Sequence, residues 1–214
     1  MSQLALIPWF FTYDLALDVL FAVISLSLSL FAFKIFKVTA QKQARFFGIS
    51  FLFIGLSYFV QFFFSIFKIS FSDLSSCKEA WFFSSCGFYL PMMLMIAGFM
   101  ILMYTTFEIK NRSVLCILLL ISLVGLFLSS NPLLVYYLVL TLILAFIAGS
   151  FVKKYFEKKQ VLSLVTAIAF LFLLFGSIHF LFSLNHQVYY VLGRFFELIA
   201  YLLILVNVYL VLKR

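Results

Sequence analysis

Two charged side chains stand inside the hydrophobic stretch YVLGRFFELIAYLLILVNVYL, which runs from Tyr190 to Leu210. Arg194 and Glu197 are three residues apart and Tyr201 follows four later, so on a helix all three share one face. A guanidinium is a forked donor for carboxylate or phosphate. A carboxylate takes up a proton, a cation or that same guanidinium. In hydrocarbon a lone charge costs about 3 to 10 kcal/mol, so such residues turn inward, find partners and mark functional sites. Asp14 and Asp18 lie one helical turn apart in the first apolar run, Gln61 lies in the second, and His179 comes late in the sixth. These residues predict a ligand site in which Arg194 holds an anionic group, with Glu197, Asp18 and His179 as partners. Gln61 and Tyr201 complete the binding set, and Tyr58 and Tyr189 offer further hydroxyls.

A plainer alternative stands beside that site. Arg194, Glu197 and Asp18 can form an ion-paired clasp that sets helix packing and nothing more. His179 then hydrogen-bonds a neighbour as a packing residue, and Asp14 sits solvated at the interface. Asn207 and Ser25, Ser27 and Ser29 are expected as interhelical hydrogen-bond contacts. The third apolar run begins PMMLMIAGFMILMY and holds five of the six methionines. Thioether and imidazole would suit Cu(I), but methionine is equally a flexible packer, and no metal site is assigned.

Cys77 and Cys86 share the longest link, KISFSDLSSCKEAWFFSSCGF, and are candidates for a disulfide; the alternative is two free thiols. The WFF between them is expected as an interfacial turn. Cys116, near the cytosolic end of the fourth helix, reads as an inert small hydrophobe. Metalloprotease, hydrolase-elbow, P-loop and dinucleotide-binding signatures are all missing from the sequence. No catalytic residues, no cofactor and no enzymatic activity are therefore expected.

The elements that must position these residues are membrane helices. Of the 214 residues, 66% are hydrophobic and 10% charged, against about 45–50% and about 25% in an ordinary soluble domain. The formal charge of +8 might suggest nucleic acid, but the basic residues fall in short clusters between apolar runs, which excludes that partner. The first fourteen residues carry no Lys or Arg, so the N-terminus is not a cleaved signal peptide and the first run is a retained helix. Cutting the chain at its polar clusters gives an all-α, seven-helix membrane bundle in one domain. The helices are expected over about 14–36, 46–67, 88–107, 114–130, 132–152, 161–183 and 188–212. Pro132 starts the fifth helix and Pro91 falls in the first turns of the third, where a missing N–H matters least. None of the three prolines is expected inside a helix.

The links alternate in charge. One side collects Lys34, Lys37, Lys42, Arg45, Lys110, Arg112, Lys153, Lys154, Lys158, Lys159, Lys213 and Arg214; the other has only Lys68 and Lys78. The positive-inside rule then puts the N-terminus outside and the C-terminus in the cytoplasm, with the chain multi-pass in the cell membrane. On that orientation Asp18, Gln61, His179, Arg194 and Glu197 all fall in the outer half. They predict one polar pocket there, lined by helices one, two, six and seven. The Asn111-Arg112-Ser113 sequon falls on the cytosolic side and is expected to stay unmodified.

Retinal proteins are excluded, because the seventh helix has no lysine before Lys213, and Pro-Gln sugar transporters because no proline is followed by Gln. LFAFKIFKVTAQKQARFFGISFLFIGLSYF resembles the first hairpin of the seven-helix membrane sensor modules of bacterial and archaeal signalling proteins. LGRFFELIAYLLILVNVYL resembles their final helix. The resemblance implies a receptor-like or sensor-like protein that binds in its outer half. No signalling domain follows Arg214, so its partner would be a separate protein, met at the basic cytosolic face or within the membrane. The lipid bilayer is the other partner. An accessory or structural subunit of a membrane complex is the alternative function, and a small-solute or ion transporter the third.

Overall fold

The computed structural model describes residues 8–70, 78–108 and 111–212. Seven helices account for nearly all of them: α1 (Pro8–Thr39), α2 (Lys42–Ser70), α3 (Lys78–Thr106), α4 (Arg112–Leu128), α5 (Pro132–Lys158), α6 (Val161–Ser183) and α7 (Gln187–Leu212). Each expected helix is present. Six are long and apolar enough to cross a membrane; α4, with 17 residues, is the short one. At 1.5 Å per residue it spans about 25 Å, against a hydrocarbon core of about 30 Å.

Two expectations about α3 are corrected. The helix begins at Lys78, ten residues before the expected start, so WFF belongs to helix rather than to a turn, and Pro91 lies inside the helix. Lys78, Glu79 and Ala80 are good helix formers, and no Gly or Pro interrupts the chain before Gly87. Hydropathy marks only the lipid-facing part of such a helix. Beside Pro91, its carbonyl accepts a hydrogen bond from Ser57 Oγ of α2 at 2.7 Å.

The six long helices form a closed ring in the order α1, α2, α3, α5, α6, α7, with α7 returning to α1. Short α4 packs outside the ring across α3 and α5. Its outward face, including Ile117, Leu120, Ile121 and Val124, is exposed, as are Leu30, Phe59, Phe146, Phe175 and Phe195 on the ring. Large apolar residues covering the surface are what a lipid solvent allows. Inside the ring lie Phe21, Leu28, Ile54, Ile96, Leu144, Ile147 and Ala200.

Small residues bring the helices close. A Cβ on Gly98 would stand 2.9 Å from the Ser50 carbonyl oxygen and 2.7 Å from Ile54 Cγ1, so α2 and α3 touch backbone to backbone. A Cβ on Gly193 would stand 2.7 Å from the Phe180 ring, which fixes α7 against α6. Side-chain hydrogen bonds add to these contacts. Ser29 Oγ donates to Gly48 O at 2.8 Å, and Asn207 Nδ2 donates to Thr166 Oγ1 at 2.6 Å, both between helices as expected. Ser27 instead donates to Val23 O of its own helix, and Ser25 Oγ is buried beside the Tyr201 hydroxyl with no well-formed hydrogen bond among the described residues.

Helix ends are capped locally. Asn111 Oδ1 accepts from Ser113 N, so the sequon asparagine serves as the N-cap of α4, and Asn131 caps α5 ahead of Pro132. Ala40, Glu108 and Lys159 take left-handed backbone angles just beyond α1, α3 and α5. These three helix ends share one end of the bundle with Lys34, Lys37, Arg45, Lys153 and Lys154. We call it the basic end. The starts of α1, α3, α5 and α7 lie at the other.

Candidate functional site

Arg194 is set by its neighbours on α7. Gly193 presses against α6, and one residue further, about 100° round the helix, Arg194 turns to α1. There it meets both aspartates. Its Nε stands 2.8 Å from Asp14 Oδ1, and its terminal nitrogens lie 2.9 Å from Asp18 Oδ1 and 3.2 Å from Glu197 Oε2. Asp14 and Asp18 are one turn apart on α1 and so face the same guanidinium. Tyr190, one turn before Arg194, bridges the Arg194 and Asp14 side chains with its hydroxyl. It donates to Asp14 at 2.9 Å and accepts from Arg194 at 2.9 Å. The guanidinium also lies over the rings of Tyr190 and Phe21, with its carbon 5.3 and 5.8 Å from their centroids.

Glu197 carries the network inward. One carboxylate oxygen faces Arg194, and the other accepts the hydroxyl of Tyr58 from α2. Tyr201 donates to Tyr58 at 3.3 Å, and Phe21 packs against both tyrosine rings. Asp14, Asp18 and Arg194 are only 6%, 2% and 4% exposed, and Tyr58 and Tyr201 are deeper still. The result is a clasp. One cation and three carboxylates tie α7 to α1 where the ring closes, and reach α2 through one hydroxyl.

The electrostatics are unbalanced. With all three acids ionised, two carboxylate charges have no matching cation, in surroundings where an unmatched charge is expensive. All three guanidinium nitrogens are engaged by the chain's own acids and Tyr190. Arg194 thus has internal anionic partners where an external anion was expected. Among the described residues no three His, Cys, Asp or Glu side chains are placed to hold a metal ion.

The structure brings Arg194, Glu197, Asp18 and Tyr201 together, as the sequence placed them. Two residues of the expected set stand apart. His179 bonds through Nδ1 to Phe175 O of its own helix at 2.7 Å, and its ring packs beside Phe196 and Tyr189. Gln61 is half-buried on α2, one turn beyond Tyr58, with no hydrogen bond to the clasp. Tyr189 also lies outside it, 38% exposed. Asp14 is corrected from solvated to buried, because Arg194 and Tyr190 replace its water. Tyr190 is the member not foreseen; its position four residues before Arg194 was the available signal. Met92 and Met95 are core packers. Cys77 lies outside the described residues, and with it the Cys77–Cys86 pairing.

A second feature lies at the basic end. A cavity of about 310 Å³ opens between the ends of α1, α3, α5 and α7 and the start of α2. No protein-family model matches the chain, and no match was found among curated proteins or solved structures. The functional reading therefore rests on the chain's own geometry.

Proposed function

We propose that the chain is a receptor-like or sensor-like protein of the cell membrane, with its N-terminus outside and its C-terminus in the cytoplasm. The short α4 serves as a seventh span, accommodated by local thinning of the bilayer. The Arg194 clasp is the switch, and it answers to charge. A proton or a small cationic group that reaches Asp14, Asp18 or Glu197 changes how tightly Arg194 holds α7 to α1. The altered packing is passed along both helices to a separate partner at the basic face. The observation that carries this reading is the single guanidinium shared by three carboxylates at the seam of the ring, those of Asp14 and Asp18 buried and that of Glu197 half-buried. A switch requires two arrangements, and on this proposal the second is the seam with one carboxylate neutralised. The charge asymmetry of the links supports the orientation.

The accessory-subunit reading is favoured by a different fact: every nitrogen of Arg194 already has a partner within the chain. A clasp so satisfied can serve packing alone. Spin labels at the basic ends of α1 and α7 separate the two readings. Neutralising one clasp carboxylate moves the labels if the clasp is a switch, and leaves them in place if it only holds the ring closed.

A further inference from the structure

The cavity at the basic end belongs to neither arm of the clasp. Its inner wall is apolar, with Leu28 and Leu102 fully buried and Phe47 and Val208 beside them. Its rim is polar, formed by Gln41, Gln43, Thr105 and Lys154. A volume of 310 Å³ lies at the lower edge of the range of about 300–1,000 Å³ usual for small-molecule sites.

Lys154 decides what such a cavity can hold. It is half-buried; its ammonium lies 5.8 Å from the centroid of the Phe151 ring and, among the described residues, donates one hydrogen bond, to Thr106 O at 3.1 Å. An ammonium has three donors. Among the described residues Lys154 forms no ion pair, whereas its neighbour Lys153 approaches Glu157 at the exposed surface. The nearby carboxylate of Glu108 is held at the rim by Gln43, at 2.9 Å. Arg45 lies over Phe36, and Lys34, Lys37 and Lys42 are exposed around the same end, so the local field is positive. An apolar wall beneath an under-used cation matches a molecule with an apolar tail and an anionic head.

We propose that this cavity binds an anionic amphiphile, a carboxylate or phosphate on an acyl chain, with its head on Lys154 and its chain against Leu28, Phe47, Leu102 and Val208. The head is supplied either by a membrane lipid or by a free single-chain acid. Equilibrium binding of tritiated laurate to the purified full chain in dodecyl maltoside micelles tests this directly. Laurate is expected to bind saturably at one site. Dilauroyl phosphatidate displaces it if the source is a lipid, and fails to displace it if the source is a free acid. Dodecanol and inorganic phosphate lack the head and the tail respectively, and neither should compete. Lys154→Gln should weaken laurate binding about tenfold or more, Lys154→Arg should keep it, and Lys153→Gln should leave it unchanged. Ala32→Leu, which fills the cavity wall without touching charge, should also weaken it. Non-saturable uptake, equal competition by dodecanol, or undiminished binding in Lys154→Gln would overturn the proposal.

Discussion

The two ends of this ring solve opposite problems. At one end Arg194, Asp14, Asp18 and Glu197 concentrate four ionisable groups, and the guanidinium is saturated by its own chain. At the other a cavity is rimmed by a single half-buried ammonium that uses one of its donors. Charge density without spare donors ties helices together; space with spare donors leaves room for the ligand we propose. The polar residues that stand out in an apolar sequence are therefore not automatically where a molecule binds. On the proposed reading they sense charge, and the amphiphile enters where the sequence is least conspicuous.

That contrast can be broken by substitutions at the two ends. Arg194→Ala should have the largest effect, because it leaves three carboxylates facing one another at the α1–α7 seam. A loss of about 3–5 kcal/mol is expected in chemical unfolding from micelles. Replacing all four clasp residues at once (Asp14→Asn, Asp18→Asn, Glu197→Gln and Arg194→Met) should recover much of that loss. Tyr58→Phe removes the hydroxyl that Glu197 accepts and should cost about 1 kcal/mol in the same assay. Lys154→Gln at the basic end should stay within about 0.5–1 kcal/mol of wild type, since it gives up one hydrogen bond at a half-open rim. An inverted order, with Lys154 the more costly to remove, would contradict the assignment of the stabilising clasp to the Arg194 end.

Much of this architecture is legible in the sequence because lipid leaves few alternatives. Each apolar run has to satisfy its own backbone, so hydropathy alone locates all seven helices. It misses their ends. The turns of α3 from Lys78 onward carry polar residues, so a hydropathy threshold starts the helix too late and puts Pro91 near its beginning. For the site, depth was legible and azimuth was not. Hydropathy and charge bias place Asp18, Gln61, His179, Arg194 and Glu197 in one half of the bundle. Which of them face one another depends on how each helix is rotated by its neighbours. Gly193 against Phe180 aims Arg194 at α1, whereas His179 lies beside Phe196. Tyr190 was hidden because tyrosine near a helix start is ordinary interfacial residue choice. The cavity was hidden more completely, because five helix ends create it and only Lys154 marks it.

On the proposed mechanism, charge at the clasp is read as helix position at the basic end. Labels at Lys37 on α1 and Tyr209 on α7 report it, both exposed positions, in a chain with its cysteines replaced and reconstituted in nanodiscs. Pulsed electron-spin distance measurement should then show the Lys37–Tyr209 distribution displaced by about 1–2 Å or more in Asp18→Asn, with acidification of wild type moving it the same way. Superimposable distributions for wild type, acidified wild type and Asp18→Asn, all still folded, would contradict a switch and leave the clasp as a fastening only.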